Sequence, residues 1–392
     1  MASLNIVADA NIPFVQQAFE TLGSVTTVEG RSMKPSVVKN ADIFLVRSVT
    51  PVNQELLAGS RVRFVATATI GTDHVDEAYL RDNNIGFASA PGCNAISAAE
   101  YVVSALINLA QNSDVDLSTK TVAVVGCGNV GSQLIRLLTA LNMQYVAYDP
   151  PRAQQFSDRD YGSWEDVLQA DIISAHVPLS FDGDYPTYRM FDKTFFSSLK
   201  KQAVFINTAR GRVVDESALL GVLAERDDLT LVLDVWENEP NINLKLLQKT
   251  SLATPHIAGY SLDGKVRGTE MIYQAVCEFL NQAPQWQKPV LPYAESFTAI
   301  QIECELADKQ AIKKAVLNAY DIRHDDERLR QMLDQPQQQQ RGAYFDQLRK
   351  NYPVRREFSC YELVTSEDRA SLNQCLQQLG FKVEAADPSL AP

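Results

Sequence analysis

The sequence predicts an α/β protein, with two doubly wound parallel-sheet lobes followed by a small α+β module. Three observations predict it. Short β-branched apolar runs alternate with helical patterns from residue 4 to about residue 280. One such run, Val122–Val125, ends in Gly126-Cys127-Gly128-Asn129-Val130-Gly131, and a helical pattern with Leu134, Leu137, Leu138 and Leu141 follows. A proline-rich stretch at 281–295 then separates this part from a C-terminal segment of different pattern.

The bulk numbers agree with a globular chain. Its 392 residues suit two or three domains, and 45% hydrophobic with 21% charged residues is enough to bury a large core. A formal net charge of −12 argues against nucleic acid or an anionic membrane as partner, and leaves room for a small anion held by a few local arginines. The six cysteines show no C-x-x-C spacing and read as reduced thiols of a cytoplasmic protein. The N-terminal MASLNIVADANIPF has no basic region before an apolar one, so no signal peptide is expected. No run reaches the ~18 apolar residues of a membrane helix.

In chain order, Leu4–Ala8 reads as a strand and Pro13–Leu22 as a helix with proline at its start. Ile43–Val46 leads into Arg47-Ser48-Val49-Thr50, and Phe64–Ala68 into Thr69-Ile70-Gly71-Thr72. Ile85–Ala88 is the last strand of the first lobe. Ligands of parallel sheets sit beyond the carboxyl ends of strands, so Arg47, Ser48 and Thr69 are candidate substrate residues, with loop capping as the alternative. A long helix from about Asn94 bridges to the second lobe.

There Gly126 permits the tight turn, Gly128 lets the backbone approach a pyrophosphate, and Gly131 lets the helix pack close. The helix N-terminus offers N–H groups to phosphate. The strand Tyr145–Tyr148 ends at Asp149, 18 residues past Gly131, near the spacing expected of an acid on a ribose 2′-hydroxyl. That carboxylate would repel a 2′-phosphate, so the expected cofactor is NAD and the lobe is Rossmann-like. A strand and a turn are expected within 171–178, then strands at Ala203–Asn207 leading to Thr208, at Leu229–Val235 leading to Trp236, and at Ser251–Thr254 before Pro255. A helix from about Leu262 to Leu280 returns the chain to the first lobe. The expected domains are therefore 1–92 plus 261–283 for substrate, 93–260 for NAD, and 284–392 as a C-terminal unit with a strand at Phe297–Glu303, helices, a short glutamine run and two further strands.

Chemistry is expected at strand ends in the NAD lobe. Oxidising an alcohol carbon needs a base for the hydroxyl proton, and histidine suits neutral pH. An anionic substrate needs a cation, and the guanidinium fork matches a carboxylate. Of four histidines, His74 lies in a turn, His176 is either a satisfied core residue or near the nicotinamide, and His324 begins a charged helix. Only His256 follows a strand end between Pro255 and Gly259. Arg210 supplies the cation, and spacing does not separate Glu237 from Glu239 as the carboxylate behind the histidine.

The stretches VVGCGNVGS, INTARGRVVDE (206–216), LDVWENEP (233–240) and TPHIAGYS (254–261) resemble the D-2-hydroxyacid dehydrogenase family. The resemblance implies catalysis by Arg210 on the substrate carboxylate, His256 as acid/base and Glu239 behind it. It implies NAD contacts from Gly126, Gly128, Asn129, Val130, Gly131, Asp149, Val177, Thr208, Asp234 and Gly259. Val177 stands where a polar residue is expected, so its contact would be through the backbone. Cys127 is only the variable position of the glycine loop. VRSVT (46–50), TATIGTDHVDEAYL (67–80), APGCNAISAAEYV (90–102) and HIAGYSLDGKVRGT (256–269) narrow the resemblance to a member acting on a small phosphorylated 2-hydroxy acid. This implies substrate contacts from Ser48, Thr69 and Tyr260, with Arg47 toward a phosphate, substrate bound between lobes that close, and a homodimer built through the C-terminal domain. Arg355 and Arg356 are candidates for phosphate-binding arginines lent by a partner subunit. The alternatives are a family member with another 2-hydroxy acid, and an NAD-sensing binding protein without catalysis.

Overall fold

The computed structural model describes residues 4–113, 116–157, 159–291, 299–335 and 337–386. Its contacts divide the chain into two compact units, Met1–Asn94 with Ser261–Pro292, and Ala95–Tyr260 with Tyr293–Pro392.

The first unit holds five parallel strands: β1 (Leu4–Asp9), β2 (Gly23–Val28), β3 (Ile43–Val46), β4 (Phe64–Thr67) and β5 (Gly86–Ala88). Their order is β2-β1-β3-β4-β5, so the chain reverses direction across the sheet between β1 and β3. Such a switch point opens a crevice at the strand ends, and Arg47 and Ser48 directly follow β3. Both β3 and β4 are buried along their whole length, as expected of strands covered on both faces. The helix expected at Pro13 begins instead at Val15, because Phe14 adopts φ +56° and cannot be a helical residue. The Leu262–Phe279 helix packs back onto this sheet through Ile272, Tyr273 and Val276. Residues 285 and 286, which the sequence suggests belong to a linker, are tied down: their N–H groups donate to the Tyr273 hydroxyl at 3.0 Å.

The second unit holds six parallel strands: β6 (Thr121–Val125), β7 (Gln144–Tyr148), β8 (Ile172–Ala175), β9 (Val204–Asn207), β10 (Thr230–Leu233) and β11 (Leu252–Ala253), in the order β11-β10-β9-β8-β6-β7. Register decides what this sheet can do. Val125 pairs with Tyr148 and Ala175, Ala175 with Asn207, Asn207 with Leu233, and Leu233 with Ala253. The residues that follow are Gly126, Asp149, His176, Thr208, Asp234 and Thr254, which therefore line one edge of the sheet.

The sequence suggests a separate C-terminal domain, but the chain from 299 onward shares the second unit's core. Ile302, Ala311, Val316, Phe358, Leu363 and Leu376 belong to the same buried cluster as Val122, Val124 and Leu134. Three short parallel strands, β12 (Ile300–Gln301), β13 (Glu362–Ser366) and β14 (Lys382–Ala386), form the small sheet. Of the expected strand from Phe297, residues 297 and 298 lie outside the described residues. The Arg323–Arg330 helix closes the exposed edge of the large sheet: Asp326 accepts the Ala253 N–H at 2.7 Å, and Arg330 donates to the Thr250 carbonyl at 2.6 Å. Among the described residues, no helix is long and apolar enough to cross a membrane.

Candidate active site

The glycine loop has the geometry its sequence demands. Gly126 adopts φ +92°, and a Cβ there would meet the backbone of His176 and Val177 at 2.8 Å. A Cβ on Gly131 would lie 2.0 Å from the Gly126 carbonyl oxygen, so only glycine lets the helix start this close to β6. At Gly128 a Cβ would meet nothing within 4 Å. That open space lies at the N-cap of the Asn129–Ala140 helix, which has no side-chain cap over its first N–H groups. An open glycine edge above uncapped amides fits a pyrophosphate. Asp149, at the end of the neighbouring strand, accepts from Cys127 N at 2.8 Å and from Arg152 N at 3.1 Å. The Cys127 thiol is buried, its pKa pushed up to about 12 by that burial, so it is inert.

His256 and Glu239 meet. His256 Nδ1 lies 2.7 Å from Glu239 Oε2, and Glu239 Oε1 accepts the Trp236 N–H at 3.0 Å. With a carboxylate at Nδ1, that nitrogen carries the proton and Nε2 is the atom able to exchange one. Burial acts to raise the Glu239 carboxyl, but the adjacent imidazole overrides it and holds Glu239 below its ordinary value. Burial acts to depress His256, but Glu239 overrides it and the imidazole stands above its ordinary value. Glu237 points elsewhere and pairs with Arg189 at 2.9 Å. Geometry thus separates the two glutamates that spacing leaves equivalent.

The histidine loop is over-determined. His256 adopts φ +57°, a left-handed conformation that a branched or bulky residue occupies only under constraint. Asp234 supplies the constraint. Its main-chain carbonyl accepts the His256 N–H at 2.7 Å, and its carboxylate accepts from Ile257 N, Ala258 N and the Thr254 hydroxyl. Thr254 is bonded in turn to the buried Tyr101 hydroxyl at 2.7 Å. Asp234, expected beside the nicotinamide, also fixes the His256 loop through these bonds. Tyr101 and Thr254 fall within stretches that carry the family resemblance, but only the fold brings them together behind Asp234.

Arg210 follows β9 on a loop clamped by Asn207, whose side chain accepts from Ala209 N and donates to the Arg210 carbonyl. The loop presses on the one that carries Glu239: a Cβ on Gly211 would lie 1.9 Å from the Trp236 carbonyl. Arg210 and the dyad therefore sit on adjoining loops. His176 is a satisfied imidazole, bonded to Ser174 and Thr208 hydroxyls, and burial pushes it down to about 3. His324 is exposed.

In the first unit, the Thr69 hydroxyl is linked to Thr67 at 2.8 Å, and Thr67 to His74 Nε2 at 3.0 Å. His74 thus orients the strand-end threonine instead of merely closing a turn. Ser48 is exposed and Arg47 half-buried. Arg355 and Arg356 do not suit the role of lent phosphate ligands. Both are buried; Arg355 donates to the Ala258 and Ser97 carbonyls, stacks 3.6 Å over the Tyr320 ring and faces Glu100 at 3.8 Å, while Arg356 donates to Cys360 Sγ. Among the described residues, no cluster of His, Cys, Asp or Glu could hold a metal ion.

Glu216, buried behind the dyad, accepts the Glu237 N–H at 2.7 Å, and burial raises its pKa from 4.5 to about 7. Its contribution to stability is complete below the unfolded value of 4.5, falls as pH rises, and is gone above about 7. At about 1.4 kcal/mol per unit the effect is of order 3 kcal/mol. Glu216→Gln is therefore expected to raise Tm over wild type near pH 8, with the gap closing toward about pH 4.5. A gap that does not change with pH would contradict this.

Residues 95–258 match a family model described as D-isomer specific 2-hydroxyacid dehydrogenase, NAD binding domain, and residues 291–380 match a domain of unknown function (DUF3410). The chain is 44% identical over 383 residues to an erythronate-4-phosphate dehydrogenase of Marinobacter nauticus, spanning 97% of this chain and 99% of that one. It is likewise 44% identical to an erythronate-4-phosphate dehydrogenase of Escherichia coli, over 96% of this chain and 98% of that one. Among solved structures, NAD+-bound 3-phosphoglycerate dehydrogenase of Entamoeba histolytica has a similar fold, with TM-score 0.63, 23% identity, and coverage of 73% of this chain and 99% of that chain. D-lactate dehydrogenase of Aquifex aeolicus, complexed with NAD and lactic acid, gives TM-score 0.59 at 25% identity, covering 71% and 95%.

Proposed function

Because the chain belongs to the D-isomer-specific 2-hydroxyacid dehydrogenase family and is an NAD-dependent enzyme of that class, we propose that it oxidises 4-phospho-D-erythronate at C2. The product is 2-oxo-3-hydroxy-4-phosphobutanoate, and the reaction serves pyridoxal 5′-phosphate biosynthesis in the cytoplasm. The observation that carries the reaction class is His256 Nδ1 at 2.7 Å from Glu239. The choice of substrate rests on the likeness to relatives named for it over nearly their whole length.

The chemistry divides among the residues as follows. Bound NAD supplies the acceptor for the C2 hydride. The glycine loop, with Gly126, Gly128, Asn129, Val130 and Gly131, holds its pyrophosphate on backbone N–H groups, and Asp149 takes the ribose hydroxyl. The Val177 backbone, Thr208, Asp234 and Gly259 would hold the nicotinamide half of the cofactor. Arg210 takes the substrate carboxylate with its guanidinium fork. His256 takes the C2 hydroxyl proton at Nε2, and Glu239 stabilises the imidazolium that forms. Ser48, Thr69 and Tyr260 bind substrate hydroxyls, and Arg47 binds the phosphate. The working enzyme is a homodimer joined through its C-terminal segment.

The test is the rate of NADH appearance with 4-phospho-D-erythronate, D-erythronate and D-3-phosphoglycerate. The phosphorylated four-carbon acid is expected to give the highest kcat/KM. It should exceed D-erythronate by about a hundredfold or more, the worth of two charge-assisted hydrogen bonds. Equal values for the two erythronates, or a higher value for D-3-phosphoglycerate, would overturn the substrate.

A further inference from the structure

The solved dehydrogenases with this fold are matched almost end to end while leaving more than a quarter of the present chain uncovered. What the added C-terminal segment does at the site is visible in its packing. Its Gln338–Lys350 helix lies against the loop just after Glu239: a Cβ on Gly342 would meet Asn241 Oδ1 at 2.8 Å and Pro240 Cγ at 3.5 Å. Further along, the same segment grips the loop just after His256. Arg355 donates to the Ala258 carbonyl at 3.0 Å, and the Tyr352 ring stands edge-on to Tyr260 with centroids 5.7 Å apart. Both loops of the dyad are therefore buttressed by residues 342–355.

Arg349 lies in the middle of this contact. Its guanidinium carbon is 5.8 Å from the Tyr260 ring centroid, and its side chain is hydrogen-bonded to that of Tyr260. It is close enough for its charge to act on both Glu239 and His256. Its Nε is buried and has no hydrogen-bond partner. A guanidinium with a buried, unsatisfied N–H beside a catalytic pair is a costly arrangement that an arriving anion would complete. Asp346 and Glu239 are the carboxylates whose charge it feels, and Glu239 is already committed to His256 and Trp236 N.

We propose that Arg349 is a substrate-binding residue, its guanidinium receiving an anionic oxygen of the substrate beside the Tyr260 hydroxyl. The C-terminal segment, whose family model describes a domain of unknown function, then contributes directly to substrate recognition. The inference rests on the reaction proposed above. The anion is either the phosphate or the carboxylate of the same substrate, and the two differ in what a dephosphorylated substrate feels.

The test uses the full-length, NAD-loaded enzyme with Arg349→Met and Arg349→Lys, measuring kcat, KM, NAD affinity and Tm. The expected result is a KM for 4-phospho-D-erythronate raised about tenfold or more in Arg349→Met, with NAD affinity and Tm held and part of the loss recovered in Arg349→Lys. If Arg349 holds the phosphate, KM for D-erythronate is unchanged; if it holds the carboxylate, both KM values rise by the same factor. A KM unchanged for both substrates would overturn the proposal. So would a rise that comes only with a lower Tm and is as large in Arg349→Lys, the mark of a packing role. A wild-type enzyme inactive on 4-phospho-D-erythronate would overturn the substrate alone, and Arg349 would then be read on the 2-hydroxy acid that it does oxidise.

Discussion

Replacing His256 with asparagine or alanine is expected to lower kcat by on the order of 10² to 10⁴, the usual worth of a positioned acid/base group. NAD affinity should be nearly unchanged, because the loop amides are held by Asp234 and not by the imidazole. The two variants control for each other. His256 sits at φ +57°, which asparagine adopts far more readily than alanine. A backbone defect would therefore spare the asparagine variant, whereas loss of the proton acceptor at Nε2 would not. Steady-state turnover with a parallel NAD titration reads both. Wild-type turnover in the asparagine variant would remove His256 from the mechanism.

Arg210→Lys should lower kcat/KM by about 10- to 100-fold, the worth of one charge-assisted hydrogen bond lost when a fork becomes a point charge. The reason to expect a clean effect is local. Asn207 clamps the loop at the Ala209 N–H and the Arg210 carbonyl, and Gly211 is wedged against Trp236, so the loop stays put when the side chain changes. Because the substrate carboxylate is bound in the ground state as well as in the transition state, KM is expected to rise along with any fall in kcat. A variant with unaltered kcat/KM would mean that the carboxylate is held elsewhere.

The parts of this protein that were legible in its sequence share a physical cause. Strands β6, β8, β9 and β10 are buried on both faces, so each appears as an unbroken apolar run, and the polar residue ending the run falls on the functional edge. His176, Thr208 and Asp234 directly follow three of these runs, whereas Asp149 ends the more exposed β7, and Arg210 and His256, each three residues past a strand, take their roles from the family resemblance. Strand β2 was missed because it is the edge strand of its sheet: Gly23–Val28 is mostly polar and only partly buried. The C-terminal segment has its own family match at 291–380, and the few apolar positions that join it to the second unit's buried cluster are too widely spaced to show in the sequence. Spacing does not tell Glu239 from Glu237, which only the family resemblance separates, nor Arg349 from any surface arginine, since the fold is what brings them to His256 and Tyr260. The same is true of Asp234, whose role in fixing the His256 loop depends on hydrogen bonds to residues some twenty positions on.

The proposed reaction requires that a hydride leave C2 of the substrate for NAD while His256 takes the hydroxyl proton. Its most direct measurement is mass spectrometry of the NADH formed by the full-length enzyme from 4-phospho-D-erythronate deuterated at C2. One deuterium per NADH is expected in the wild type, with NADH formation all but abolished in His256→Asn. Unlabelled NADH from the wild type, or labelled NADH formed at an undiminished rate by the variant, would contradict it.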